Sequence, residues 1–251
     1  MTPYLIVCPL IFLAGFIDSI AGGGGLISLP AYLLAGIPTH QALGTNKLSA
    51  SFGSATATLR YGRAGFIPWK IALPAVAFSL GGSAIGSHTA LLVSDRFLKI
   101  LMLVLLPLTA FVILRKKTLE KERAPLSTLK TFLISAAIAL VLGFYDGFYG
   151  PGTGTFLILL LTVAAHQTLA DANGISKLLN FASNIASLTV FLVNKQSLIP
   201  LGLTAGIFSA AGSYLGTQLF KKKGTMAVKP VILIVLAIFF VKVVTELFGN
   251  A

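Results

Sequence analysis

Apolar residues run in long, nearly charge-free blocks along the chain, at 4–21, 71–93, 97–114, 131–149, 198–219 and 230–248. A helix needs about 20 such residues to cross a bilayer core of about 30 Å. The blocks are continuous rather than alternating every second residue, so they read as helices and not as the short strands of a membrane β-barrel. Two shorter apolar pieces lie at 26–37 and 155–165, and two more polar helical segments at 46–60 and 175–193. A piece of about 12 residues spans only about 18 Å as a straight helix. Half-helices, re-entrant segments and short spans at a thinned site all fit that length.

The order of pieces occurs twice. Segments 4–21, 26–37, 46–60, 68–92 and 97–114 correspond to 131–149, 155–165, 175–193, 198–219 and 229–248. The only polar stretch of any length, 115–130, divides the two series. The chain therefore reads as an N-terminal membrane repeat (1–114), a basic cytoplasmic linker (115–130) and a C-terminal membrane repeat (131–251). The fold class expected is all-α: a polytopic membrane helical bundle of two inverted repeats with broken or re-entrant helices.

Composition strengthens the membrane assignment. Of 251 residues, 56% are hydrophobic and only 10% charged, with a mean hydropathy of +0.92, whereas a soluble domain carries about 25% charged residues. The net charge of +12 does not point to nucleic acid. The basic residues gather in short runs between apolar blocks: Arg60, Arg63 and Lys70; Arg115 to Lys130; and Lys221 to Lys229. That is the positive-inside pattern, and anionic lipid headgroups are the natural neighbours. If each short piece crosses, each half has five crossings, the second half is inverted and all three clusters fall on one side. The expectation is thus about ten crossings with both termini outside. The N-terminus lacks the basic run of a cleaved leader and reads as the first span. The single cysteine, Cys8, reads as a small buried hydrophobe. Trp69 and Tyr61 read as interfacial anchors, Asp171 as a residue of a polar loop, and His40, His88 and His166 as helix-end or interface histidines without metal-ligand spacing.

The candidate chemistry sits where helices break. Residues 15–25 read G-F-I-D-S-I-A-G-G-G-G and residues 143–154 read G-F-Y-D-G-F-Y-G-P-G-T-G. In each, an apolar helix meets an acid, Asp18 or Asp146, and then stops on glycines: Gly22, Gly23, Gly24 and Gly25, or Gly150, Pro151, Gly152, Thr153 and Gly154. Glycine and proline make continued helix costly, and freed backbone groups in hydrocarbon must be satisfied. A tight turn between packed helices is one reading; a backbone N–H cradle for an anion at the next helix start is the other. Matched breaks in the two halves of a membrane chain point to a transporter's binding site. A lysine follows each break, Lys47 beside Asn46 and Lys177 ahead of Asn180 and Asn184. Lys177, Asn180, Asn184 and Ser187 share one helical face. Each lysine either snorkels to headgroups or neutralises an anion near the repeat interface. Each aspartate could carry a proton, hold a coupling cation, pair with a lysine of the other half, or accept N–H groups freed at the break.

The stretches G-F-I-D-S-I-A-G-G-G-G-L-I-S-L-P and A-L-G-T-N-K-L, with their second-half counterparts G-F-Y-D-G-F-Y-G-P-G-T-G-T and N-G-I-S-K-L-L-N-F-A-S-N, closely resemble the two repeats of the TauE/SafE sulfite exporter family, also called TSUP. The resemblance spans essentially the whole chain. It implies a bacterial inner-membrane carrier of small organosulfur or sulfur-oxyanion compounds such as sulfite, sulfonates and sulfoacetate, with no cofactor. It implies a substrate site at the glycine breaks, Asn46, Lys47, Lys177 and Asn180. Ile175 and Ser176 stand where the first repeat has Thr45 and Asn46, so the two half-sites are unequal.

These observations lead to an exporter of small sulfur-containing anions working by alternating access. Its substrate-binding candidates are Gly22–Gly25, Asn46, Lys47, Gly150, Gly152, Thr153, Lys177, Asn180 and Asn184, and its coupling candidates are Asp18 and Asp146. The alternatives are an importer or carrier of an unrelated solute, an intramembrane enzyme, for which no H-E-x-x-H or G-x-S-x-G motif exists, and a non-transporting scaffold. The sequence leaves the oligomeric state open, a homodimer included.

Overall fold

A computed structural model describes residues 2–101, 104 and 124–223. Every regular element among them is an α-helix. In the first half these are α1 (Thr2–Ala21), α2 (Gly25–Leu34), α3 (Thr39–Arg63) and α4 (Trp69–Leu91); in the second, α5 (Thr128–Phe148), α6 (Thr153–Val163), α7 (Leu169–Val193) and α8 (Ile199–Lys223). A further helical stretch begins at 95 and is described to 101. The predicted segment 229–248, most of 97–114 and the side chains of the 221–229 cluster lie outside the described residues.

Helices α1, α4, α5, α7 and α8 are long and apolar enough to cross a membrane. Helix α3 matches α7 in length, at 25 residues, but is more polar. The short α2 and α6 have 10 and 11 residues, about 15 Å each. Leu26 through Leu33 are all buried, so α2 is packed within the protein.

The two lysine-bearing helices start earlier than hydropathy suggests, at Thr39 and Leu169 rather than at 46 and 175. Thr39, His40 and Gln41 open α3 and Asp171 lies in the first turn of α7, and these polar residues interrupt the apolar profile there. Pro38 precedes the first turn of α3 with an extended ψ of 148°, and the Thr168 side chain caps α7 by accepting from Asp171 N. Asp171 is therefore a first-turn helix residue, where a carboxylate is favoured, rather than part of a loop. Lys47 and Lys177 each become the ninth residue of their helix.

The outer surface is apolar, as lipid requires, while the interior combines two hydrophobic clusters with small and polar residues. Along α4 the inward residues are Ala72, Ala75, Ser79, Gly82, Ser83, Gly86, Ser87 and Ala90, while Leu73, Phe78, Leu80 and Ile85 are exposed. Small inward residues let backbones approach closely where burial of apolar surface drives nothing. The G-S-x-x-G pairs do this in both halves: a Cβ at Gly82 or Gly86 would overlap the Leu140 or Phe144 carbonyl of α5, and one at Gly212 or Gly216 the Phe12 or Phe16 carbonyl of α1. Cys8 is buried as expected. Trp69 is half-exposed at the start of α4, but Tyr61 is 1% exposed and is no interfacial anchor. Its hydroxyl is committed to a carbonyl inside the bundle.

Exchanging the halves preserves the main helix pairings. Helix α1 lies along α8 as α5 lies along α4, and α3 lies along α8 as α7 lies along α4. Residue register fixes directions. Ser79, Ser83 and Ser87 of α4 bond Leu179, Ser183 and Ser187 of α7, so these helices run parallel. Gly44, Gly202 and Gly206 meet Gln196, Leu48 and Phe52, so α3 and α8 are parallel too. The equivalent helices α3 and α7 run opposite ways: Tyr61 meets Asn173, and Ser54 meets Asn184.

Gly86→Leu and Gly216→Leu are each expected to lower stability by roughly 1–3 kcal/mol or more through overpacking. Gly81→Leu, where a side chain meets nothing within 4 Å, should leave it unchanged. Thermal unfolding in detergent reads the difference; equal effects at all three positions contradict the close-approach assignment.

Candidate functional site

A helix that ends inside a bundle leaves its last carbonyls short of intrahelical donors. At the end of α1, Asp18 O still accepts from Gly22 N at 2.8 Å, and each of the last four carbonyls has a side-chain partner. The Lys177 ammonium donates to Asp18 O, Tyr61 Oη to Ser19 O at 2.8 Å, Asn173 Nδ2 to Ile20 O at 3.2 Å and Thr155 Oγ1 to Ala21 O at 2.7 Å. Three of these four donors come from the opposite half. At the end of α5, the Lys47 ammonium donates to Asp146 O at 2.6 Å and Ser87 Oγ to Gly147 O at 3.3 Å. The lysines thus cap broken helices in trans, where a cation also meets the negative end of the helix dipole.

Each lysine also pairs with the carboxylate of the residue it caps. Lys47 Nζ lies 2.8 Å from Asp146 Oδ2, and Lys177 Nζ lies 3.2 Å from Asp18 Oδ2. The two pairs are reciprocal, since each joins α3 or α7 of one half to the broken helix of the other. Both lysines are buried, at 2% and 0% exposure, which removes the snorkelling reading. Of the open readings for the aspartates, two are seen: each pairs with a lysine of the other half, and Asp18 also accepts from Gly24 N, freed at the break. The group of four charges is neutral, so neither ammonium is a free anion receptor.

The breaks themselves touch. Gly22 (φ +78°) packs on Gly154, where a Cβ on either residue would overlap the other's backbone, and Thr155 N donates to Gly22 O at 3.1 Å. Gly150 (φ +96°) lies over the Lys47–Asp146 pair, with Lys47 Nζ 3.3 Å from where its Cβ would be. The N–H groups are largely used within the turn: Gly24 N reaches Asp18 Oδ1 at 3.3 Å, and Leu26, Ile27 and Ser28 N bond the carbonyls of Gly23 and Gly24. Little of an open N–H cradle remains at this break.

Beside the meeting point lies a cavity of about 50 Å³, several times what one water needs. It is lined by the predicted Asp18, Gly22, Gly24, Gly25, Asn46, Lys47, Asp146, Gly150, Asn180 and Asn184. Gly23, Gly152, Thr153 and Lys177 do not line it; Lys177 stands behind Asp18. Ser28, Ser49, Ser54, Ser209 and Ser213 complete the polar wall. Ser213 of α8 is the serine of the second G-S-x-x-G pair, whereas Ser209 carries no sequence signal beyond lying four residues before it. Asn184 Nδ2 donates to Asn180 Oδ1 at 2.7 Å, and Tyr32 Oη to Ser49 Oγ at 2.7 Å. Among the described residues no three His, Cys, Asp or Glu side chains cluster as metal ligands would. His40 instead pairs with Asp95, and its Nε2 lies 3.1 Å from Ala90 O.

The two half-sites differ where they should match. Gly53 stands 130 positions before Ser183 and Ala57 the same distance before Ser187. In the second half Ser183 Oγ donates to Asp146 Oδ2 at 2.5 Å, and Ser83 and Ser87 bond Ser187. In the first half Gly53 and Ala57 supply no hydroxyl, and Ser209 Oγ of α8 stands where a Gly53 side chain would lie. The Asp18 side chain is 21% exposed against 4% for Asp146.

Comparison with known proteins gives the same direction. The family model described as sulfite exporter TauE/SafE matches residues 7–243. The chain is 39% identical to a probable membrane transporter protein, ORF9, of Sinorhizobium sp. over 89% of this chain and 85% of that one. It is 35% identical to a probable membrane transporter protein of Haemophilus influenzae, covering 94% and 92%. It is 34% identical to the probable membrane transporter protein YfcA of Escherichia coli, covering 95% and 88%. No solved structure matches.

Removing one member of a buried pair strands a charge, at a cost of about 3–5 kcal/mol. Lys47→Ala and Asp146→Asn are each expected to destabilise on that scale, and Lys47→Met combined with Asp146→Asn to recover most of the loss. Asp18→Asn should cost less, because water reaches its side chain. Unfolding in detergent checks the order; equal losses for Asp18→Asn and Asp146→Asn contradict it.

Proposed function

The chain belongs to the sulfite exporter TauE/SafE family, a family of multi-pass membrane transporters, and from that premise we propose that it exports small sulfur-containing anions such as sulfite, sulfonates or sulfoacetate across a bacterial inner membrane. The observation that carries this reading is the pair of reciprocal Lys–Asp bridges at a polar cavity where two broken helices meet. A compact oxyanion needs donors in place of its hydration shell, and Lys47, Asn46, Asn180, Asn184 and the cavity serines supply them. No metal or redox group is called for.

Transport follows from how the halves are tied. Each broken helix is held by a side chain of the other half, so one half cannot shift against the other without exchanging these bonds. We read the opposed directions of α3 and α7 as the mark of an inverted repeat, with alternating access as the rocking of one repeat on the other. An anion entering the cavity competes with the Asp146 carboxylate for Lys47. The neutral four-charge group accepts a monoanion best when one carboxylate takes a proton, which makes the export proton-coupled.

A thermal-shift series on the purified protein with sulfite, sulfate, thiosulfate, methanesulfonate, sulfoacetate and simple carboxylates tests this. A true cargo stabilises the folded state by about 2.7 kcal/mol at a hundredfold excess over its Kd, and Lys47→Ala should abolish that shift. Stabilisation by none of the sulfur anions, or an undiminished shift in folded Lys47→Ala, sinks the assignment. In proteoliposomes, Lys47→Ala should likewise abolish flux of the anion that binds.

A further inference from the structure

Arg60 departs from the repeat. It stands 130 positions before Val190, and Tyr214, which it meets on α8, stands the same distance after Ala84. The Arg60 guanidinium lies 4.0 Å from the centre of the Tyr214 ring, and its Nε donates to Thr217 Oγ1 at 2.5 Å. Thr217 is buried and Tyr214 half-exposed, so the guanidinium is pinned at the outer seam of α3 and α8. The ion pairs among the described residues, His40–Asp95, Lys47–Asp146 and Lys177–Asp18, do not include it. Its two terminal nitrogens make no hydrogen bond among the described residues. The depth is marked by Trp69, half-exposed and packed against Gly62 in the last turn of α3; tryptophans so placed sit at the level of lipid headgroups. Leu59 and Leu215, next in sequence to Arg60 and Tyr214, are exposed, and so are Phe52 and Ile207 about two turns nearer the bilayer centre.

We propose that the seam formed by Arg60, Tyr214 and Thr217 binds the phosphodiester of an anionic phospholipid. A guanidinium is a planar fork whose edge fits two phosphate oxygens at once. Thr217 fixes Nε, Tyr214 covers one face, and the two terminal nitrogens are left to grip a ligand. The surroundings select its kind. An inorganic anion meets the fork and gains nothing more, whereas a phospholipid also lays its chains over Leu59, Leu215, Phe52 and Ile207. A zwitterionic headgroup would bring its own cation beside the guanidinium and beside Arg63, one turn on and exposed. An anionic headgroup brings none. A basic membrane face draws any anionic lipid diffusely; here one donor set is held in a fixed place. Arg60 belongs to α3 and both its partners to α8, so a bound phosphate braces two helices whose Asn46, Ser54, Ser209 and Ser213 line the cavity. The site stands whichever solute is carried.

Native mass spectrometry of the full chain, released from micelles holding equal amounts of phosphatidylglycerol and phosphatidylcholine, tests this. A phosphatidylglycerol molecule is expected to stay on the natural protein, and its occupancy to fall about fivefold or more in Arg60→Gln, the scale of one basic residue at an anionic surface. Lys70→Gln removes an exposed basic residue at the start of α4 and should leave that lipid in place. Equal retention of the two lipids overturns the proposal, and so does an equal loss in both variants, which would mark a diffuse basic face. If Arg60→Gln fails to fold, Arg60→Lys keeps the charge and loses the fork: its retention should also fall, and retention equal to that of the natural protein overturns the proposal. Thermal unfolding in phosphatidylcholine micelles separates lipid from free anion. Added phosphatidylglycerol should raise the midpoint in the natural protein and less in Arg60→Lys. A rise with inorganic phosphate that depends on Arg60 in the same way would mean that the seam takes a free oxyanion, and the lipid assignment falls.

Discussion

Everything in this molecule depends on satisfying the carbonyls of a helix that stops inside the bundle. An unpaired carbonyl in hydrocarbon costs several kcal/mol, and α1 ends with three beyond the reach of its own backbone N–H groups and a fourth, Asp18 O, that Gly22 N shares with Lys177. The chain supplies a lysine, a tyrosine, an asparagine and a threonine, one for each. Most of these donors belong to the opposite half, so neither half can complete its own broken helix. The halves are therefore joined by polar obligation as well as by packing. That is a stronger specification than close contact between small-residue faces, which fits many helix pairs about equally well.

The same obligation explains the charges. A buried ammonium would be costly alone, and so would a buried carboxylate. Placed together at a helix C-terminus, each offsets the other, and the ammonium gains a carbonyl besides. Matched ionisable residues in a membrane sequence thus have a structural role before any functional one. What turns the arrangement toward transport is the cavity beside it, lined from both halves by Asn46, Asn180, Asn184 and the serines of α2, α3 and α8.

Much of this was legible in the sequence, and the reasons it was legible are physical. Glycine runs after Asp18 and Asp146 stop helices wherever they occur, and lysines within apolar segments stand out against their neighbours. The duplication was readable because Gly143, Asp146 and Lys177 keep nearly constant distances from Gly15, Asp18 and Lys47. Partnership across the halves was not readable. Nothing in the one-dimensional pattern distinguishes Lys47 meeting Asp146 from Lys47 meeting Asp18 or a headgroup. Tyr61 looked interfacial because basic residues flank it, yet the ring points inward to Ser19 O. The starts of α3 and α7 were hidden because polar residues in their first turns interrupt an apolar profile. Ser209 and Ser213 escaped notice because a serine ladder on one helix face looks the same whether it lines a cavity or a helix contact.

A neutral site also suits a carrier better than a strongly cationic one would. A solute must be bound well enough to enter and loosely enough to leave. A free pair of ammonium groups in a low-dielectric cavity would hold an anion too tightly for release. With each ammonium already shared by a carboxylate and a carbonyl, the anion gains only the difference between its own contacts and those it displaces. The asymmetry between Gly53 and Ser183 sits within that balance: the Asp146 carboxylate is shared between Lys47 and Ser183, whereas that of Asp18 meets Lys177 and Gly24 N.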